Sequence, residues 1–278
     1  VSTLYIVATP IGNLADLSER AASTLREVAL VLAEDTRRTR GLLSHLAITG
    51  KDLSRLDAHA PDDAIANVVD RLVAGESAAL VTDAGVPGVS DPGARLIRAA
   101  VARGVTVVPI PGASAVTAAV SVSGFVEGAF LFLGFLPRQG KARDAALERV
   151  RRALEPVVLF ESPERIEKTL GELAATLPNR RAVVCREITK LHEETLRGTL
   201  AELAQKRDWR GEITLIVDQA SEGELEAPPP SEAEIEQEIR ERLAGGARTR
   251  EIADDLAARY RVPRRELYER VEAIKRNR

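Results

Sequence analysis

The chain has 278 residues, with 39 Lys and Arg against 42 Asp and Glu, a formal net charge of -3 and a pI near 5.8. That balance excludes a polycationic nucleic-acid binder, so any RNA or DNA contact must use local patches; the length suits two packed cores and a small appendage. One cysteine, Cys185, excludes an intramolecular disulfide, and three scattered histidines, His45, His59 and His192, lack ligand spacing, so no metal is expected.

The chain opens on a strand-like run, residues 4–8, with neither a basic leader nor an apolar signal core before it. No later stretch approaches the roughly 20 continuous apolar residues of a membrane span, so a cytoplasmic protein without membrane contact is expected. Residues 28–33, 78–82 and 106–109 are further short apolar runs rich in β-branched side chains. Amphipathic stretches separate them, which predicts βαβ units and a largely parallel sheet. Asp62 opens one such helix, with Ile65, Val68, Val69 and Leu72 on one face; Asp91 and Pro92 predict the cap and first turn of another. This first α/β domain is read as residues 1–122.

The pattern restarts at residues 130–135, 157–160, 181–185 and 213–217, with helices starting near Gly140, Pro163 and Thr199. A second α/β domain over residues 123–220 follows, with Cys185 as a packed core thiol. Composition then shifts at residues 221–231, where Glu, Gly and the run Pro228, Pro229, Pro230 predict a stiff, solvated linker. Beyond it, residues 232–278 form a small helical module. Ile252, Leu256 and Tyr260 lie at helical spacing, and so do Leu267, Val271 and Ile274. Two readings stand for this tail: a cap that only packs, or a helix-turn-helix whose Arg264, Arg265 and Arg270 face phosphates.

Three turn-rich segments follow strands of the first domain: residues 8–13, 81–93 and 109–115. In a parallel sheet all three emerge on one edge, where open α/β sheets bind ligands. There is no Gly-x-x-x-x-Gly-Lys-Ser/Thr for a nucleoside triphosphate and no Gly-x-Gly-x-x-Gly after the first strand. The loops offer backbone amides, carbonyls and small side chains with few fixed cations. Such a lining suits a ligand that joins an adenine-like ring to a positive centre; S-adenosylmethionine has that character, although composition alone does not name it.

Eight motifs carry a closer resemblance. They are Ala-Thr-Pro-Ile-Gly-Asn at 8–13, Ala-Glu-Asp-Thr-Arg at 33–37, Thr-Asp-Ala-Gly-Val-Pro-Gly-Val-Ser-Asp-Pro-Gly at 82–93 and Pro-Gly-Ala-Ser-Ala at 111–115. Then come Gly-Phe-Leu-Pro-Arg at 134–138, Phe-Glu-Ser-Pro-Glu-Arg at 160–165, Arg-Glu-Ile-Thr-Lys at 186–190 and Gly-Glu-Ile-Thr at 211–214. In order and spacing they resemble the ribosomal RNA small subunit methyltransferase I family of the tetrapyrrole methylase superfamily. The resemblance implies two α/β domains with S-adenosylmethionine in the cleft between them, and 2′-O-methylation of a cytidine ribose in small-subunit (16S) RNA. It further implies the 30S particle as partner, and a homodimer.

Carried over by position, the resemblance puts Pro10, Ile11 and Gly12, then Asp83, Ala84, Gly85, Val86 and Pro87, then Ser114 and Ala115 on the cofactor from the first domain. Phe160, Glu161 and Glu187, with Glu212, Ile213 and Thr214, would close the cleft from the second. Val86 departs from the family pattern, which has threonine there.

Methyl transfer to a hydroxyl needs alignment above all. A ribose hydroxyl is a poor nucleophile, so Glu34, Asp35, Glu161, Glu187 and Lys190 are candidate catalytic groups. Arg37, Arg38 and Arg40, with Arg138, Lys141 and Arg143, are basic clusters after strand ends and are candidate RNA contacts, as are Arg264 and Arg265. Aromatic residues are only 3% of the chain, which disfavours base-stacking platforms and favours recognition of RNA shape. The alternatives are a tetrapyrrole or protein-side-chain methylase of the same superfamily, and a metabolite-sensing DNA-binding regulator.

Overall fold

The alternating runs form two five-stranded sheets in the computed structural model, which describes residues 2–90, 93–221, 232–245, 247–260 and 264–276. The first sheet contains β1 (Thr3–Val7), β2 (Leu30–Ala33), β3 (Asp52–Arg55), β4 (Ala78–Val81) and β5 (Thr106–Ile110). Its order is β3-β2-β4-β1-β5, and every pairing is parallel. Strands β2 and β4, Leu-Val-Leu-Ala and Ala-Ala-Leu-Val, are apolar at every position because both faces of the sheet are covered. Leu30 and Leu32 join Leu4 and Leu80 against α3 (Asp62–Val73) and α4 (Ala94–Ala102). Val31 and Ala33 join Val7 and Val81 on the other face, against α1 (Glu19–Glu27) and α2 (Thr36–His45).

This two-sided packing fixes the binding edge. The chain leaves β1 for α1 on one face and leaves β4 for α4 on the other, although β1 and β4 are neighbours. Their carboxyl ends therefore splay apart at the topological switch point of the sheet. Each leucine buried in these layers contributes about 1.5–3 kcal/mol, so the edge rests on a stiff base.

The second sheet contains β6 (Leu131–Phe135), β7 (Val157–Glu161), β8 (Arg181–Arg186), β9 (Glu194–Thr199) and β10 (Ile213–Val217), in the order β6-β7-β10-β8-β9. Only β6 and β7 run parallel; β10 inserts antiparallel between β7 and β8. One face packs on α6 (Lys141–Arg151), α7 (Pro163–Ala174) and the single turn α8 (Leu200–Leu203), whose Thr199 and Glu202 form a capping box. The other face, through Val158, Val183, Cys185 and Ile216, packs on Val116 and Ala119 of α5 (Ala115–Ser123). Helix α5 follows β5 directly, so it brings the edge of the first sheet against the second. Cys185 is buried there, and burial pushes its thiol pKa up.

Strands β3 and β9 were not among the expected strands. Both are sheet edges with largely polar sequences, Asp-Leu-Ser-Arg and Glu-Thr-Leu-Arg-Gly-Thr.

The structure divides into two compact units, residues 1–220 and 221–278. The second unit holds three helices among the described residues, α9 (Glu232–Ala244), α10 (Thr249–Tyr260) and α11 (Arg264–Arg276), where the sequence pattern marks only the last two. Ile235 and Ile239 of α9 close a core with Ile252, Ala253, Leu256, Leu267 and Val271. The expected linker, including Pro228, Pro229 and Pro230, lies outside the described residues from position 222 to 231. So do Asp91 and Pro92, the turn at 261–263, and the side chains of Tyr260, Arg264 and Arg265. Helix α4 starts at Ala94 with Gly93 before it.

Candidate active site

At the switch point the three loops of the first sheet are fastened to one another by backbone. Thr9 and Gly85 exchange two hydrogen bonds, N–H to O=C at 2.9 and 3.1 Å, which ties the β1 loop to the β4 loop. The Thr9 hydroxyl, buried, donates to the Thr82 carbonyl at 3.1 Å, and Ala8 N–H donates to the Ile110 carbonyl at 3.1 Å. Gly112 lets the third loop close on the first: a Cβ there would lie 2.9 Å from the Ala8 Cβ, a distance that real side chains avoid. Asp83 then accepts from Asp35 N–H at 3.1 Å and pairs with Arg38 at 3.5 Å, so the β2 loop joins the same frame.

The facing wall, from the second sheet, is held by side chains. Glu161 ends β7 with its side chain only 1% exposed. Its carboxylate accepts from Thr169 Oγ1 at 2.7 Å and from Ser162 N–H at 3.1 Å, and pairs with Arg165 at 3.2 Å. Behind Thr169 stands Arg143, which donates to that hydroxyl at 3.0 Å and to Glu172 at 2.5 and 2.9 Å. A second ionic clasp holds the edge of β10. Glu187 Oε1 accepts from Glu212 N–H at 2.9 Å and from Lys190 Nζ at 2.8 Å, and Lys190 also reaches Glu212 at 3.0 Å. The lysine contact and the Glu212 amide hold the Glu187 carboxyl below its ordinary range. Gly211, at φ +77°, makes room for the clasp, because a Cβ there would sit 2.2 Å from the Glu187 carboxylate.

Between the walls lies a cavity of about 360 Å³. The first wall contributes Ile11, Asp83, Ala84, Gly85 and Val86, with Ser114 and Ala115; the second contributes Phe160, Glu161, Glu212, Ile213 and Thr214. Glu34 and Arg38 also line it. Burial first, then the Asp83 charge, raise the Glu34 carboxyl pKa above its ordinary value. Pro10, Gly12, Pro87, Glu187, Lys190 and Asp35 do not line the cavity. Gly12 packs against Lys190 and Thr189 instead. Asp35 caps α2, accepting from Arg37 N–H at 2.8 Å, and its pairing with the Arg37 guanidinium holds its carboxyl far below the usual range.

Sequence reasoning missed Val89, Ser90, Val116, Phe135, Ser162, Pro163 and Gly211, all of which line the cavity. Val89, Ser90, Phe135, Ser162, Pro163 and Gly211 lie inside the motifs and could have been found there; Val116 could not, since it reads as helix core.

The basic residues divide. Arg37, Arg40, Arg138 and Lys141 are exposed, Arg37 with Asp35 as partner, and Arg38 stands at the cavity. Arg143 is a correction: it is 3% exposed and spends its guanidinium on Glu172, Thr169 and the Pro137 carbonyl, so it cannot meet a phosphate backbone. Among the described residues no group of three or more His, Cys, Asp or Glu could hold a metal ion, and no helix is long and apolar enough to cross a membrane.

The family model for Tetrapyrrole (Corrin/Porphyrin) Methylases matches residues 3–204. A protein of Halalkalibacterium halodurans named ribosomal RNA small subunit methyltransferase I is 42% identical over 274 residues, covering 96% of this chain and 93% of that protein. One of the same name from Xylella fastidiosa is 42% identical over 269 residues, covering 88% and 98%. Among solved structures, a diphthine synthase superposes with a TM-score of 0.62 at 16% identity, over 81% of this chain and 93% of that one. The Thermus thermophilus uroporphyrin-III C-methyltransferase complexed with S-adenosylhomocysteine does so with a TM-score of 0.57 at 18% identity, over 78% and 97%. At such low identity these two structures bear on the fold alone.

Proposed function

The chain belongs to the ribosomal RNA small subunit methyltransferase I family of the tetrapyrrole methylases, and from that premise we propose that it methylates the 2′-oxygen of a cytidine ribose in small-subunit (16S) RNA. The coarser activity, S-adenosylmethionine-dependent methylation of ribosomal RNA, follows from membership; the ribose oxygen and the cytidine are the finer reading. Its acceptor is the RNA of the 30S particle, and the same family resemblance supports a homodimer. Residues 1–122 and 123–220 are read as two domains that share the cofactor.

One observation carries the reading: a cavity lined on one side by the loops after β1, β4 and β5, the small residues Ala84 and Gly85 among them, and on the other by the buried Glu161 carboxylate and the Phe160 ring. Bound there, S-adenosylmethionine supplies an electrophilic methyl group on a sulfonium. Ala84, Gly85 and Ala115 leave space for an adenosyl ring and offer main-chain groups to its edge. Asp83 and Glu161 offer negative charge toward a cationic ligand, and Phe160 covers it from the side of β7. A rigid, partly dry cleft of this kind accelerates an in-line displacement mainly by holding donor and acceptor in register. Exposed Arg37, Arg40, Arg138 and Lys141 supply phosphate contacts at low cost.

The test is incubation of the full chain with methyl-labelled S-adenosylmethionine and small-subunit particles that lack the modification. The expected result is label in RNA, recovered after nuclease digestion as a 2′-O-methylcytidine. Label on a base, or on a ribosomal protein, contradicts the finer reading; no label in RNA despite cofactor binding contradicts the reading as a whole.

A further inference from the structure

A second cavity, of about 340 Å³, opens beside the first on the same sheet edge. The two share Glu34 and Ser90, which line both and so form the partition between them. We propose that this second cavity receives the acceptor nucleoside, turned out of its strand, and that Glu34 in the partition takes the proton of its ribose hydroxyl. The inference rests on the methyltransferase reading of the first cavity and adds where the RNA enters.

Size and lining point to a nucleoside. The volume lies near the lower end of the roughly 300–1,000 Å³ typical of small-molecule sites, so the cavity suits one nucleoside and no longer segment. Leu56, Ala58, Ile65 and Leu96 give it apolar walls for a planar ring. Asp57, also in the lining, is held by Arg55 at 2.7 Å and by His59 N–H at 2.8 Å, and presents carboxylate oxygen to an exocyclic amine of the kind cytosine carries. Arg95, anchored on the Ala60 carbonyl at 2.7 Å, is ion-paired with Asp62, a fully exposed surface partner that an adjoining phosphate would displace at low cost.

The partition is where the two reactants meet. Glu34 lines both cavities, so a ribose held in the second and a methyl donor held in the first would meet beside it. The donor would supply its methyl to the hydroxyl oxygen, the C–S bond breaking onto sulfur as the C–O bond forms, and the Glu34 carboxylate would take the hydroxyl proton. Asp83, Asp57 and Arg38 face this carboxyl, with Arg95 in the same cavity lining; burial and the Asp83 charge make it a better proton acceptor than an exposed glutamate. Asp35, next in sequence, is committed to Arg37 and the α2 cap and does not compete for the role.

Two variants of the full chain test this, each with a readout separate from turnover. Ala58 is exposed and lines only the second cavity, so Ala58→Trp fills that space without cutting the core. It is expected to bind S-adenosylhomocysteine within about 2-fold of the wild type by calorimetry, to abolish the saturation-transfer NMR signal of cytidine on the loaded protein, and to raise the KM for RNA at least ~10-fold. Glu34→Gln is expected to keep S-adenosylhomocysteine binding and KM, to lower kcat roughly 100-fold, and to lose the acid limb of the pH-rate profile. A wild-type KM in Ala58→Trp overturns the nucleoside assignment, and a wild-type kcat in Glu34→Gln overturns the role of Glu34. Wild-type protein that takes up no S-adenosylhomocysteine overturns the underlying methyltransferase reading instead.

Discussion

The two walls of the candidate site are built by different means. The first is main chain: loops after β1, β4 and β5 bolted together by Thr9 and Gly85, by Ala8 and Ile110, and by the closeness of Gly112 to Ala8. The second is charge: Glu161 held through Thr169 and Arg143, and Glu187 clasping Lys190 and the Glu212 amide. Backbone bolts need small residues at fixed places, so they leave a local signature. Ionic clasps join residues 3 to 29 positions apart and need only that both partners exist. Substitutions in the first wall are therefore expected to act through shape, and those in the second through polarity.

Gly112→Val carries the largest expected effect. Its branched side chain must push the third loop off Ala8, and S-adenosylhomocysteine affinity is expected to drop at least ~100-fold by calorimetry, about 2.7 kcal/mol. Next is Gly211→Ala, where strain at positive φ of about 1–3 kcal/mol adds to displacement of the Glu187 carboxylate, and a loss of roughly 10-fold is expected. Thr169→Val keeps shape but removes one buried hydrogen bond from Glu161, which keeps Ser162 N–H and Arg165, and one from Arg143, which keeps Glu172 and the Pro137 carbonyl. It is expected to cost about 1–3 kcal/mol in denaturant unfolding, with a fewfold loss of affinity. If Thr169→Val weakened binding more than Gly112→Val, the contrast between the walls would be inverted.

The smallest effect is one of pH. The Glu187 carboxyl is depressed in the folded chain by Lys190 and the Glu212 amide, so its stabilising contribution is complete above the unfolded value of 4.5 and fades as pH falls through the lower folded value. Acid unfolding of Glu187→Gln is expected to show a shallower loss of stability across that window than the wild type. Identical curves would place the clasp outside the stability of the second wall.

The same contrast explains what the sequence disclosed. The parallel first sheet was legible because β2 and β4 are continuous apolar runs between amphipathic helices. The three loops were legible because glycine and proline mark them. Strand β9 was not, since an edge strand half in solvent tolerates Glu, Arg and Thr and loses the apolar signal. Nor was the antiparallel entry of β10, because order within a sheet depends on partners far along the chain. Arg143 sits in a basic stretch that reads as solvated; only its distant partners Thr169 and Glu172 reveal it as buried. Glu187 and Lys190 read as cofactor or catalytic groups; neither lines the cavity, and their pairing with each other and with Glu212 is visible only in the fold.

The most direct test of two walls around one ligand is a calorimetric titration of the full wild-type chain with S-adenosylhomocysteine, repeated on Gly112→Val and Thr169→Val. The predicted result is one site per chain, lost in Gly112→Val and weakened a fewfold in Thr169→Val. Undiminished binding in both variants would put the cofactor somewhere other than between these sheets.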